Sequence, residues 1–305
     1  MIGVAHAKAI LVGEHYVLDG VGAVALSLPG MRTEVRWAED TGALRLAPNV
    51  RTTLGEDASQ QTLSMLERVC AATETAPTGE VDVRSSVPIG RGFGSSGALA
   101  VAALRARAGD RMGAQALLDA ARAVEAVVHG ASSGLDPAAA MADGAAIRFA
   151  DGRLLETIVP PATDPMQRAR WVLCDVGPAP STGVAIAAAR AARERLGSER
   201  CAALRTQVQA AADAAADGLR RGEPGAIAVA MRQNDAALRP LDVVDDRMAV
   251  IIERLLAGGA LAAKQSGAGL GGLVLALAPD PRVAATLRAQ LDAGGLPSWT
   301  VETCR

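Results

Sequence analysis

Rings are nearly absent from this chain: 305 residues hold three Trp, two Phe and one Tyr. A chain so poor in aromatics has little with which to stack bases, and a formal charge of −2 gives it no basic surface, so no nucleic-acid partner is expected. Cysteine is scarce as well. Cys70, Cys174, Cys201 and Cys304 are scattered without the paired spacing of a metal site, and they read as reduced, mostly buried thiols of a cytosolic protein. No apolar run approaches a membrane span, and Lys8 and Glu14 interrupt the apolar start, unlike a signal peptide. No membrane partner and a cytoplasmic location are therefore expected. Repeats and low-complexity segments are also lacking.

What is present is small and aliphatic. Half of the residues are hydrophobic, alanine abounds, and the length suffices for two domains or one large one. Glycine is concentrated where chemistry is expected. The stretch Val87–Ala98, VPIGRGFGSSGA, follows the alternating VDVRSS and precedes an Ala/Leu-rich run, ALAVAALRARAG. That order reads as strand, glycine loop, helix start. Backbone N–H groups and the positive end of a helix dipole meet there, a natural seat for phosphate oxygens. Serine hydroxyls at the helix start can cap it, bind phosphate or ligate Mg²⁺. The arginines at the far end of this helix read as a solvated face. No lysine follows the glycines, so this is not a Walker A loop, and position 95 is not the third glycine of a dinucleotide fingerprint. On these features alone, a flexible Gly/Ser connection with a serine cap is the alternative.

Along the chain, residues 2–12 read as a strand with one inward lysine, Lys8, followed by a turn and a short strand. Strands GAVALSL, TEVRWA and ALRLA are separated by turns at Pro29-Gly30 and Thr41-Gly42. Helical periodicity marks 57–73, then about 113–129. Strands follow at 145–150 and 170–176, with helices over about 183–195, 199–221, 224–238 and 246–258. A glycine-rich turn at 267–272 leads into the strand LVLALA, and the tail 281–305 holds a helix and a last strand. Glu125 closes one helix and Asp136 sits in the turn after it, since Gly130 and Gly134 must break the helix between them. The pair can face one cavity, or be a solvated acid and a helix cap.

Four segments together resemble the GHMP small-molecule kinases. Pro88-Ile89-Gly90-Arg91-Gly92-Phe93-Gly94-Ser95-Ser96-Gly97-Ala98 is similar to their phosphate loop. AHAKAILVGEHYVLDG resembles the first motif of the mevalonate kinases within that family, keeping Lys8, Gly13, Glu14 and His15 but placing His6 and Ala7 where Pro-Gly is usual. HGASSGLD resembles their segment bearing the catalytic aspartate, and AKQSGAGLGG their third motif, with Leu270 in place of a glycine.

The resemblance covers essentially the whole chain. It implies a two-domain fold, an N-terminal ribosomal-S5-like α/β domain over 1–165 and a C-terminal ferredoxin-like α+β domain over 166–305. It implies ATP-dependent phosphorylation of an alcohol, most simply the 5-hydroxyl of mevalonate, with ATP and Mg²⁺ as cofactors. Asp136 and Lys8 would be catalytic; Ser96 and Glu125 would hold the metal. Pro88, Gly90, Arg91, Gly92, Phe93, Gly94, Ser95, Ser96 and Gly97, with Gly267, Ala268 and Gly269, would bind the nucleotide. Glu14, His15 and Thr182 would lie at the small-molecule substrate. A homodimer is compatible with it. The alternatives are a phosphomevalonate kinase, another small-alcohol kinase of the family, a non-catalytic nucleotide-binding relative, and a serine hydrolase built on Ser96, His129 and Asp136, although Gly94-Ser95-Ser96-Gly97-Ala98 misses the nucleophile elbow.

Overall fold

The computed structural model describes residues 1–130, 132–180 and 182–303, with the side chains of Asp110 and His129 outside that description. The chain forms two compact units of interleaved segments, whereas the sequence reading divides it once, after residue 165. One comprises Met1–Lys8, Ser27–Ile89 and Gly94–Gly144; the other comprises Ala9–Leu26, Gly90–Phe93 and Ala145–Arg305.

The first unit is built from β1 (Ile2–Val12), β2 (Ala23–Ala43), β3 (Arg45–Leu46), α1 (Pro48–Leu54), α2 (Glu56–Ala72), β4 (Thr78–Ser85), α3 (Ser95–Ala108), α4 (Ala114–His129) and α5 (Leu135–Ala140). β1 and β2 run on into the other unit. β2 pairs antiparallel with β4, Trp37 opposite Val81, and β3 adds parallel to β4. Alternation along β2 turns Thr33, Val35 and Trp37 inward. Val35 and Trp37 meet Leu66 and Val69 of α2, Val101 and Leu104 of α3, and Val124 of α4 in one core.

Helix α3 is the buried centre of this unit, and alanine is why. Ala98 and the run Ala100–Leu104 are buried on every face, and β1 crosses so closely that a Cβ on Gly3 would lie 2.1 Å from the Ala102 carbonyl oxygen. The arginines at its end correct the expectation of a solvated face. Arg107 is 7 % exposed, stacks 5.2 Å from the centre of the Trp37 ring and donates to Thr75 Oγ1. Arg105 donates to the carbonyls of Val4 and Met141. A helix enclosed on all sides delivers its long cations to carbonyl oxygens rather than to water.

A second correction concerns the turn expected at Pro29-Gly30. β2 passes straight through it, and the two residues fall between Ala23–Leu26, which pair with β5 (Ala146–Ala150), and Thr33 onward, which pair with β4. The short strand expected after Gly13 is instead a 3-10 turn, Tyr16–Asp19.

The second unit continues with β6 (Arg153–Ile158), α6 (Asp164–Arg168), β7 (Arg170–Asp175), α7 (Thr182–Arg221), α8 (Pro224–Leu238), α9 (Asp246–Ala257), β8 (Ala262–Ser266), β9 (Leu273–Ala278), α10 (Pro281–Ala293) and β10 (Ser298–Glu302). Strands in the order β10-β7-β9-β8 form an antiparallel sheet. Helix α7 is broken at Gly197, φ 79°, where the sequence predicts two helices. α9 begins on an Asp245 cap and buries Met248, Ile251, Ile252 and Leu255, a single stripe set against the sheet core. Cys70 and Cys174 are buried and, like Cys201, free; Cys304 lies outside the described residues. Among the described residues no helix is long and apolar enough to cross a membrane.

Candidate active site

The glycine loop delivers the chain into α3 of the first unit. Gly90, Gly92 and Gly94 have φ of 68°, 78° and 75°, a left-handed region that glycine enters without a Cβ penalty. Helix α3 begins at Ser95 with Gly94 as its cap, so no serine hydroxyl caps it. Both serines therefore sit inside its first turn, and the positive end of the dipole there suits an anion.

Lys8 reaches this turn from β1. It is 2 % exposed, and Gly94 is what admits it: a Cβ at that position would stand 2.7 Å from Lys8 Cγ. Its ammonium lies 3.3 Å from Asp136 Oδ1. Asp136 stands in the first turn of α5, and Gly97 lets α3 approach it; a Cβ there would be 3.2 Å from Asp136 Cβ. On the same side, Ser96 Oγ donates to Glu125 Oε1 at 3.1 Å and Ser132 Oγ donates to Oε2. Glu125 is buried. Loss of solvent, and next the negative charge of Asp136, push its carboxyl up to about 7, against the pull of the two serine hydrogen bonds and Lys8.

A carboxylate held in such a place is suited to a hard cation. The donors around it are all oxygens, the set Mg²⁺ prefers, and among the described residues no cluster of three or more His, Cys, Asp or Glu forms a complete protein cage. The chemistry fits an ion bound by one or two protein groups plus phosphates.

The second unit gathers the other candidates. Arg91 and Gly92 lie on the turn that follows β8, where Gly267, Gly269, Leu270, Gly271 and Gly272 all take positive φ. Leu270, φ 58°, adopts the left-handed backbone that a glycine would hold more cheaply, and its N–H donates to the Val243 carbonyl. Glu14 is 1 % exposed with both oxygens engaged: Oε1 by the Lys264 ammonium, Oε2 by Asn234 Nδ2 at 2.8 Å. Asn234 Oδ1 in turn accepts from the Gly13 amide at 3.1 Å. His15 sits at φ 62° with Nε2 donating to the Ala268 carbonyl at 2.9 Å, and burial lowers its imidazole to about 4, so it is neutral at pH 7. Arg193 holds this turn by donating to the His15 carbonyl and pairing with Asp19. Thr182 opens α7, while its neighbour Ser181 lies outside the described residues.

Lys8, Gly94, Ser95, Ser96, Gly97, Glu125 and Asp136 thus share the first unit, joined there by Pro88. Glu14, His15, Gly90–Phe93, Gly267–Gly269 and Thr182 belong to the second. Two contributors escaped sequence reasoning. Ser132 occupies a variable position of HGASSGLD, so no pattern singled it out. Lys264 stood in the third motif, but only three-dimensional burial shows that it neutralises Glu14.

The N-terminal domain of GHMP kinases matches residues 60–144, and the C-terminal domain of GHMP kinases matches residues 215–295, together more than half of the chain. The chain belongs to the GHMP kinase family and is an ATP-dependent kinase acting on an alcohol. Mevalonate kinase of Thermococcus gammatolerans is 29% identical across 97% of this chain and 94% of its own. Among solved structures, L. major mevalonate kinase in complex with R-mevalonate is similar with a TM-score of 0.82 at 21% identity, over 99% of this chain and 96% of that one. Streptococcus pneumoniae phosphomevalonate kinase is similar with a TM-score of 0.76 at 16% identity, over 99% and 98%. At those identities the structural likeness speaks for the fold alone.

Proposed function

We propose that this kinase phosphorylates the 5-hydroxyl of mevalonate, as a cytoplasmic enzyme using MgATP. The observation that carries the reading is Asp136, paired with Lys8 and set against the uncapped first turn of α3. An acceptor hydroxyl beside Asp136 would then stand near phosphate held at the start of α3. The name shared by full-length relatives such as that of Thermococcus gammatolerans favours mevalonate over phosphomevalonate.

The loop amides from Gly90 to Gly97 and the start of α3 hold the phosphates. Asp136 orients the acceptor hydroxyl and takes its proton as the oxygen bonds to the γ-phosphorus and the bond to the bridging oxygen of ADP breaks. Lys8 donates to the oxygens of the group in flight, where preorganised positive charge counts most. Glu125 and Ser96 would hold Mg²⁺, with Ser132 fixing the carboxylate; the ion's chemistry there is to neutralise phosphate charge.

A coupled ADP-release assay against mevalonate, phosphomevalonate, homoserine and galactose tests the acceptor. Mevalonate should support turnover well above the others; turnover of phosphomevalonate alone would move the assignment to that kinase. Asp136→Asn should lower kcat and kcat/KM together by roughly 10²–10⁴-fold while MgATP still raises the melting temperature. Full turnover by that variant would remove Asp136 from the mechanism.

A further inference from the structure

The glycine loop has a fastening outside its own segment. Phe93, the residue before the cap of α3, is completely buried, whereas Ile89 of the same loop is exposed. Its ring meets Trp299 of β10 edge to face, with centroids 5.3 Å apart and planes at 78°. Trp299 is itself fixed by strand pairing, opposite Leu173 of β7. Around this contact the loop backbone lies on the same sheet end: a Cβ on Gly92 would stand 3.2 Å from the Ser266 carbonyl oxygen, and one on Gly272 would stand 3.0 Å from that of Arg91. Arg91 Nη1 also approaches Asp175 Oδ1, at 3.6 Å.

We infer that Trp299, six residues from the end of the sequence, is a positioning residue for nucleotide binding that acts through Phe93. The inference rests on the proposed reading of the loop as the phosphate seat. A loop with three positive-φ glycines has little stiffness of its own. Amides that bind phosphate are useful only when held in place beforehand, because ordering them on binding subtracts from affinity. The Phe93 ring is the loop's one large apolar anchor, and Trp299 supplies its aromatic partner. In a chain with only six aromatic residues, placing two of them in this contact is a specific use of a scarce resource.

The test compares the parent with Trp299→Leu, which keeps an apolar strand residue but removes the ring, and with Trp299→Phe, which keeps a ring. An aromatic edge contact accounts for about a 2- to 10-fold change in a binding constant. Trp299→Leu should therefore weaken MgATP binding by about that factor and leave the acceptor KM unchanged, while Trp299→Phe restores the parent affinity. MgATP should also change tryptophan emission in the parent, and Trp299→Phe should reduce that change, leaving only what Trp171, buried two residues from Leu173 in β7, contributes. Unchanged MgATP affinity in Trp299→Leu overturns the inference. So does a parallel rise in both KM values, which marks general loosening, and so does failure of Trp299→Phe to restore affinity. A parent that shows no melting shift with MgATP instead overturns the phosphate-seat reading and the inference with it.

Discussion

Glu125 shows what a single buried carboxyl costs and what it prepares. Its folded-state value near 7 lies above the ordinary 4.5, so the penalty is absent while the group is protonated in both states. Its contribution to stability is intact below about 4.5 and is lost as pH rises through about 7. Glu125→Gln cannot ionise. In chelator and without nucleotide, the melting temperature of Glu125→Gln relative to the parent should rise between pH 5 and pH 8, and a difference independent of pH would refute the perturbation. Gln265 makes the opposite case, a polar group with no visible function. It is fully buried in β8 and neither amide atom has a partner among the described residues. An unsatisfied buried polar group costs about 1–3 kcal/mol, so Gln265→Met, of similar shape, should raise the denaturation midpoint with an unchanged m-value. A lower midpoint would reveal a hidden partner for the amide.

At the scale of elements, Gly94 is where backbone and site chemistry coincide. Gly94→Ala forces a Cβ into a left-handed residue and against Lys8. Moving that ammonium off Asp136 by an ångström should cost about 10²-fold in kcat, with the helical circular dichroism retained. A variant with normal kcat would show that Lys8 tolerates displacement. Elements bounded by strong local signals were legible in the sequence: α8 opens on Pro224, α9 carries one apolar stripe, and β9 is six apolar residues after glycines. The misses came from tertiary context. Pro29-Gly30 looked like a turn because the place where β2 changes partners is invisible locally. The arginines of α3 looked solvated because an alanine-rich helix gives no hint of which faces are enclosed. In the candidate site, Lys8, Glu125 and Asp136 were readable from motif order, whereas the burial of Glu14 was not, since its partners stand more than two hundred residues away.

That distance matters for the molecule as a whole. Glu14 follows the first strand and Lys264 lies in the eighth, 250 residues apart in sequence, yet both are essentially without solvent contact. Lys264 also donates to the Ile10 and Gln265 carbonyls, Asn234 bridges Glu14 to the Gly13 amide, and Ser266 Oγ accepts from the Ile10 amide at 2.7 Å. The first and third motifs are thereby joined in the core of the second unit by charge and hydrogen bonds. Such a pair gives little net stability against an apolar replacement, because desolvation opposes the attraction, but breaking it from one side is expensive. Lys264→Met leaves the Glu14 carboxylate buried with only the Asn234 amide, and should destabilise by about 3–5 kcal/mol. Adding Glu14→Gln removes the stranded charge while keeping a group that can still engage Asn234, so the double variant should recover most of that loss. Chemical denaturation of the parent, both single variants and the double variant closes the cycle. Additive losses would mean that the two residues stabilise the fold independently and that the motifs are held together by the surrounding packing alone.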